Sequence, residues 1–193
     1  MKIIFLGVQG SGKSTQAKKA AEYLNVPYIE MGQLLRDKTK EENQEGQMIK
    51  QALDNGKLVP DEIALNTLHN RLSKSDCENG YVLDGYPRNS AQLQGLPKDI
   101  DIVVHVKVSD QEALKRLLSR GRHDDRKELI ENRMSWHHKD TQPLLKEFER
   151  QGILEEVDGE RSIQDISQDI AKIILNEKTP AARTGESIKN ESS

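Results

Sequence analysis

The chain has 193 residues, of which 34% are hydrophobic and 32% charged, and its formal charge at neutral pH is −3. This length suits one compact domain with a sizeable core. The acidic balance gives no overall attraction to nucleic acid or anionic membranes, so any phosphate site must depend on local positive charge. The single cysteine, Cys77, excludes an intramolecular disulfide and a Cys-rich zinc site. No apolar run approaches the roughly 18 residues of a membrane span, and we expect a cytoplasmic protein.

Short apolar runs alternate with segments of helical spacing along the chain. This alternation is typical of a parallel sheet with crossover helices, and therefore of the α/β class. Helical spacing covers residues 16–24 and 61–72, and a last helix follows Ser162, whose spacing to Asp165 resembles a capping box. The predicted strands are residues 3–6, 81–83, 102–106 and 153–157.

Two segments depart from this pattern. Residues 31–60 are rich in Lys, Glu and Gln with apolar residues at intervals, and predict small helices outside the sheet. Residues 121–132 are strongly charged and separate two helical patterns. We interpret both as mobile appendages. From about Lys178 onward the residues are small and polar, which predicts a disordered tail.

Residues 7–14 match the pattern G-x-x-x-x-G-K-[ST] between an apolar strand and a helix. Glycines allow a tight turn in which several backbone N–H groups point at one phosphate, and the helix N-terminus and Lys13 add positive charge. Ser14 or Thr15 offers a hydroxyl to the Mg²⁺ that accompanies ATP. The alternative is a turn that binds nothing, and the strand–loop–helix context argues against it. The motif indicates a nucleotide but leaves the reaction open.

A second apolar strand ends in an acid, a sharp turn and an arginine. Ligands bind at the carboxyl ends of strands in open α/β sheets. Asp84 is therefore placed to hold Mg²⁺, through water, and Arg88 to bind a phosphate with two hydrogen bonds. The alternative is a strand-end turn with a surface arginine.

Residues 116–133 contain a cluster of arginines around Gly121, with Asp124 and Asp125 beside it. A glycine hinge next to arginines and paired acids favours a closing lid over a solvated face. A phosphate acceptor is already ionised, so transfer to it needs alignment and charge neutralisation rather than a strong base. The five arginines are Arg116, Arg120, Arg122, Arg126 and Arg133.

Several motifs, in this order, resemble those of the adenylate kinases within the nucleoside-monophosphate kinase family. The resemblance covers about residues 1–174. The motifs are 7–15 with Gln16, 32–36, 56–61, 83–88 with Gln92, and 120–125 with Arg133.

This resemblance implies a P-loop NTPase fold, with a five-stranded parallel sheet flanked by helices. It implies one kinase domain over residues 1–177, followed by the tail of residues 178–193. Within the domain, residues 1–30, 61–120 and 134–177 would form the core. Residues 31–60 would be a small insert that binds the nucleoside monophosphate, and residues 121–133 a very short lid. It also implies Mg²⁺ with ATP, no zinc, and a monomer.

The resemblance further implies a role for individual residues. The catalytic residues would be Lys13, Arg88, Arg120, Arg122 and Arg133, with Asp124 and Asp125 orienting the lid arginines and Ser14 and Asp84 holding Mg²⁺. ATP would bind at Gly10, Ser11, Gly12, Lys13, Ser14, Thr15, Arg116, Arg120 and Arg161. AMP would bind at Met31, Arg36, Lys57, Leu58, Val59, Gly85, Tyr86, Pro87, Arg88, Gln92, Arg122 and Arg133.

The chain departs from the family pattern at four places. Gln9 replaces the usual proline of the P-loop, and Ser14 replaces the usual glycine after its lysine. Met31 and Gln33 stand where the family commonly has Thr or Ser and Asp, which affects contacts with the acceptor base and the magnesium shell. The predicted lid has one residue, Gly121, between its two arginines.

Two alternatives remain. A UMP/CMP kinase would use the same chemistry, and residues 87–89 and 93–95 resemble that branch. Gln92 favours AMP, because its amide can pair with both N6 and N1 of adenine. A non-catalytic nucleotide-binding regulatory module is the alternative from another class. The chain retains all the residues expected for catalysis, which argues against such a module. These residues are Lys13, Asp84, Arg88, Arg120, Arg122 and Arg133.

Overall fold

The computed structural model describes residues 1–120 and 127–178, without the side chains of Arg120 and Lys178. The predicted lid residues Arg122, Asp124 and Asp125, the side chain of Arg120, and the tail from residue 179 therefore lie outside the described residues. A helix covers Lys127–Trp136, so the second half of the segment predicted as a lid is helical.

Five parallel strands form one sheet in the order β2-β3-β1-β4-β5. The four strands predicted from apolar runs are confirmed. The apolar pattern missed β2, a three-residue strand with one buried side chain, although the family resemblance implied a fifth strand. The bounds are β1 Lys2–Leu6, β2 Tyr28–Glu30, β3 Tyr81–Asp84, β4 Ile102–Lys107 and β5 Leu154–Asp158.

Nine α-helices in the described residues connect or extend these strands. The predicted cap of the last helix is present, because the backbone N–H of Asp165 donates to Oγ of Ser162 at 3.1 Å. A π-helical turn, His137–Thr141, joins α7 to α8. The helices are α1 Lys13–Leu24, α2 Met31–Lys38, α3 Gln44–Asp54, α4 Asp61–Leu72, α5 Ser90–Gln94, α6 Asp110–Arg120, α7 Lys127–Trp136, α8 Gln142–Arg150 and α9 Ile163–Lys178.

The core lies on both faces of the sheet. Successive side chains of a strand point to opposite faces. In β1, Ile4 and Leu6 accordingly pack into one apolar cluster, and Ile3 and Phe5 pack into the other, with α1 and α9. All four are essentially inaccessible to solvent. Fully burying such a side chain stabilises a fold by about 1.5–3 kcal/mol, so the sheet is a rigid base for the loops at its carboxyl edge.

Helices α2 and α3 lie outside the sheet but share its core. Met31, Leu35, Ile49 and Val59 are buried in the same cluster as Ile4 and its neighbours. In this structure the segment predicted as an insert therefore packs against one face of the sheet.

Strand β5 is one edge of the sheet, and three of its five side chains are exposed acids, Glu155, Glu156 and Asp158. Nδ1 of the buried His105 on β4 lies 2.8 Å from Oε1 of Glu156, and this contact lowers the pKa of Glu156. In the part of the chain that the structure describes, no helix combines the length and apolarity needed to cross a membrane.

Candidate active site

The loop of residues 7–12 joins β1 to α1 and is shaped by its glycines. Gly12 caps α1 with φ of 88°, in the left-handed region that favours glycine. A Cβ at Gly10 would stand 2.6 Å from the carbonyl oxygen of Ala113, so the loop can lie this close to α6 only without a side chain there. The consequence is a tight backbone turn directly at the N-terminus of a twelve-residue helix, which is an anion-binding arrangement.

Two cations reach this loop from different parts of the chain. Nζ of Lys13 donates to the carbonyl oxygen of Val8 at 3.4 Å, so the lysine folds back over the turn. Nη1 of Arg133, on α7, donates to Oε1 of Gln9 at 3.3 Å. The structure therefore brings Arg133 to the P-loop across 124 positions of sequence.

A cavity of about 320 Å³ opens beside the loop and contains five of the predicted ATP ligands. Nε of Arg116 donates to Oε1 of Glu112 at 2.7 Å, and Nη1 of the same arginine donates to the carbonyl oxygen of Gly159 at 2.9 Å. Arg161 is paired with Asp169. A larger cavity, about 420 Å³, lies along β4 and β5, and no predicted site residue lines it. The ATP ligands that line the smaller cavity are Ser11, Gly12, Thr15, Arg116 and Arg161.

Two carboxylates meet at the ends of neighbouring strands. Glu30 of β2 and Asp84 of β3 are register partners, and the hydroxyl of Tyr28 donates to Oδ2 of Asp84 at 2.7 Å and lies 3.4 Å from Oε2 of Glu30. Burial and the charge of Asp84 raise the pKa of Tyr28, so this hydroxyl stays a donor, and Ser14 also contacts it. Tyr28 thereby links the predicted magnesium residues, Ser14 and Asp84, in one network.

This network suits a magnesium ion. Asp84 is 2% exposed, and its Oδ1 has no hydrogen-bond partner among the described residues. A buried, unsatisfied carboxylate oxygen is costly unless a cation or a cation's water completes it. Mg²⁺ prefers oxygen ligands and keeps several waters, which matches one carboxylate and one hydroxyl. Within residues 1–120 and 127–178 there is no cluster of three or more His, Cys, Asp or Glu able to hold a metal by itself.

The predicted acceptor arginines are held by different partners. Nη2 of Arg36 donates to Oε1 of Glu30 at 2.7 Å and to Oε1 of Gln33 at 3.0 Å. Nε of Arg88 donates to the carbonyl oxygen of Gly85 at 2.8 Å. Burial lowers the pKa of Arg88, and the positive charges of Arg133 and Arg36 lower it further. The negative charge of Asp84 acts in the opposite direction and raises this pKa.

Trp136, the last residue of α7, touches two regions predicted to bind AMP. Cζ of Arg88 lies 5.3 Å from the centroid of its ring, within the range of a cation–π contact. Its Nε1 donates to the carbonyl oxygen of Gly56 at 3.0 Å, in the turn just before Lys57.

The amide of Gln92 is buried and oriented by two hydrogen bonds. Its Oε1 accepts from the backbone N–H of Arg88 at 2.9 Å, and its Nε2 donates to Oδ1 of Asp61 at 2.8 Å. Asn89 donates to the same oxygen of Asp61. An amide has two donors and two acceptor sites, so one of each remains for a base. These bonds also fix which way the amide points.

The other predicted AMP ligands differ in what they can offer. Met31 and Tyr86 are 2% and 1% exposed and pack in the core, so their side chains serve the fold, and the hydroxyl of Tyr86 donates to the carbonyl oxygen of Gln92. Val59 and Pro87 are also buried, whereas Lys57 is exposed. At the buried positions the backbone is the group available to a ligand.

Sequence reasoning missed five residues that the structure places in this region. Tyr28 and Glu30 lie on the strand that the apolar pattern did not predict. Burial and the charges of Lys13, His138, His105 and Arg88 lower the pKa of His137 to about 3, so it stays neutral under the site. A lone Trp in a charged helix was a signal for Trp136. The five are Tyr28, Glu30, Asp61, Trp136 and His137.

Comparisons with known proteins agree on one family. A family model described as "Adenylate kinase" matches residues 5–153. The adenylate kinase of Leptospira biflexa is 38% identical over 184 residues, covering 90% of this chain and 99% of its own. That of Lachnospira eligens is 34% identical over 212 residues, with 90% and 100% covered. That of Methanosarcina barkeri is 32% identical over 211 residues, with 90% and 98% covered. The two longer alignments cover the same share of this chain, so these two relatives contain residues that it lacks.

Proposed function

Because this chain belongs to the adenylate kinase family, we propose that it catalyses the reversible transfer of the γ-phosphoryl group of ATP to AMP, giving two ADP. The observation that carries the proposal is the contact of Arg133 with Gln9 in the P-loop, close to Arg88. This contact joins a glycine loop suited to one nucleotide's phosphates with arginines suited to another's.

We name two halves of the site accordingly. The donor half comprises the P-loop (residues 7–15) with Arg116 and Arg161. The acceptor half comprises the phosphate-binding residues Arg36 and Arg88 and the groups around them. In the reaction, an oxygen of the AMP phosphate forms a bond to the γ-phosphorus of ATP. The bond from that phosphorus to the oxygen bridging to the β-phosphate breaks, and ADP leaves with that electron pair.

In the donor half, backbone N–H groups of Gly10 and Gly12 bind phosphate oxygens, while that of Ser11 donates to the carbonyl oxygen of Val8 and closes the turn. Lys13 places its charge on the group being transferred. Ser14 and Asp84 would hold Mg²⁺, Asp84 through water. When bound, this ion neutralises phosphate charge and fixes the phosphates in position.

In the acceptor half, Arg36 and Arg88 bind the AMP phosphate and hold it in line with the γ-phosphorus. Arg122 and Arg133 of the predicted lid, with Arg120 directly before it, neutralise the charge that spreads over the moving phosphoryl group. Asp124 and Asp125 would orient the lid arginines. A phosphate nucleophile carries no proton that must be removed, so the mechanism needs no general base.

The acceptor base would bind between the backbone of residues 57–59 and Gln92. The bonds of Gln92 to Arg88 and Asp61 support this part of the proposal, because they present an oriented amide rather than a rotating one. One remaining N–H and one remaining lone pair match N1 and N6 of adenine. A cytoplasmic location and a monomeric state belong to the same proposal, by analogy with the family.

The test is a panel of AMP, CMP, UMP and GMP as acceptors, with ATP and Mg²⁺, monitored by ADP formation. We expect kcat/KM for AMP to be at least about tenfold above the pyrimidines, since each unpaired polar group costs about 1–3 kcal/mol. A preference for CMP or UMP would support the UMP/CMP kinase alternative. No turnover with any acceptor, together with tight ATP binding, would support the regulatory module. Gln92→Ala should reduce kcat/KM for AMP more than for CMP.

A further inference from the structure

We propose that Trp136 is a positioning residue for the nucleoside monophosphate, and that it sets the spacing between the base-binding and phosphate-binding parts of the acceptor half. The inference rests on the proposed function for the identity of the acceptor. Its physical basis is the pair of contacts that one rigid side chain makes, to Arg88 and to Gly56.

At the phosphate end, Trp136 stabilises an arginine in an unfavourable place. Arg88 is half-buried and is crowded by the charges of Arg133 and Arg36. Its Nε is fixed to the carbonyl oxygen of Gly85. The electron-rich face of an indole attracts a guanidinium, and the attraction is stronger where water is partly excluded. The ring therefore holds the guanidinium at one position before a phosphate arrives.

At the base end, Trp136 fixes the turn that leads into residues 57–59. This turn closes α3, with hydrogen bonds from Gly56 N to Leu53 O and from Lys57 N to Ala52 O. Gly56 has φ of 64°, and a Cβ there would lie 3.2 Å from Cδ2 of Leu129 on α7, so the turn packs closely on that helix. The indole N–H then binds the carbonyl oxygen of Gly56 directly.

The two contacts together fix the distance between Arg88 and the turn at Gly56. A tryptophan has only two side-chain torsions, so its ring face and its N–H keep a fixed relation to each other. A monophosphate whose base contacts residues 57–59 and whose phosphate contacts Arg88 must match that relation. Arg133 lies one turn earlier on the same helix, so movement of α7 shifts the acceptor's position and the P-loop contact together.

Steady-state kinetics of the full chain separate the two contacts. Trp136→Phe keeps a ring over Arg88 but removes the N–H, and Trp136→Leu removes both. We expect KM for AMP to rise about fivefold in the first variant and about twentyfold or more in the second. KM for ATP should stay within about twofold of wild type. Tyr23→Leu, which removes a half-exposed ring from α1, is the matched control and should change neither KM.

A second measurement does not depend on turnover. Trp136 is the only tryptophan of the chain, so its fluorescence reports this position alone. AMP should change its emission, and ATP should change it much less. Equal rises of both KM values in Trp136→Leu, or a KM for AMP within twofold of wild type, would overturn the proposal. So would calorimetric AMP binding without a change in emission. A wild-type protein that makes no ADP would instead contradict the proposed function.

Discussion

The donor and acceptor halves of the site are built in different ways. The phosphate-binding part of the donor half is one run of consecutive residues, 7–15, whose shape follows from glycines and a helix start. The acceptor half is assembled from β2 and α2, the turn after α3, the turn after β3 with α5, and α7, which meet only in the folded chain. A local motif can keep its geometry when distant residues change. An assembled site depends on contacts such as that of Trp136 with Gly56, 80 positions apart.

The halves also differ in charge. In the acceptor half, Arg36 already binds the carboxylate of Glu30, so a phosphate must compete with an internal anion. The direct contacts of Arg88 are instead with a carbonyl oxygen and a ring face, which carry no full charge, and the charge of Asp84 acts on it without an ion pair. Arg88 is therefore expected to be the stronger phosphate ligand of the two, and Arg36 the adjustable one.

The largest effect is expected in the donor half. Lys13→Met should lower kcat by about 10³-fold or more, because it removes a full charge from the group being transferred. Lys19→Met, on the exposed side of the same helix, should be close to wild type. The measurement is kcat at saturating ATP and AMP, with a thermal melt of each protein. A Lys13→Met variant with near-normal kcat would show that the loop is not the phosphate site.

An intermediate effect is expected from His137, which lies between the halves, near both Lys13 and Arg88. Its folded pKa of about 3 is below the ordinary 6.5, so its contribution to stability is present above pH 6.5 and is lost as the pH falls toward 3. The wild-type free energy of unfolding should therefore fall by about 2 kcal/mol more between pH 7 and pH 5 than that of His137→Phe.

Urea denaturation at a series of pH values measures this difference. His137→Asn differs in size from His137→Phe but also lacks a titrating ring, so its pH dependence should flatten in the same way. Parallel curves for wild type and both variants would mean that His137 has the same pKa in the folded and unfolded protein, and that the cations of the two halves do not act on it.

The smallest effect is expected from Glu30, and it has the opposite sign. Glu30→Gln removes the ion pair between Glu30 and Arg36. The pair is partly exposed, and such pairs contribute about 0.2–1 kcal/mol. KM for AMP should fall about two- to threefold, with KM for ATP unchanged. Glu45→Gln is the matched control, because it also removes a carboxylate from an ion pair in the same segment, in this case with Lys38. A rise in KM for AMP would instead show that Glu30 holds Arg36 in its productive position.

The contrast between the halves also explains what could be predicted from the sequence. The P-loop, Asp84 and Arg88 lie on local patterns, in which spacing alone determines neighbours. Tyr28 and Glu30 escaped notice because β2 has three residues and only Ile29 is buried. The orientation of Gln92 depends on Asp61, 31 positions away, and no local spacing reveals that contact. The sheet was predictable because its apolar runs alternate with helical ones, and most of its stability lies in those runs.

The acidic edge strand has a consequence for the behaviour of the protein in concentrated solution. An edge strand offers unpaired backbone groups to the edge of another molecule, and charged side chains oppose that pairing. Two copies meeting along β5 would bring Glu155, Glu156 and Asp158 of each against those of the other. Their repulsion is strongest at low ionic strength and is screened by salt, with a Debye length of about 10 Å at 0.1 M. Replacing Glu155 and Asp158 with Thr and Val would turn this edge into a template for strand-to-strand aggregation.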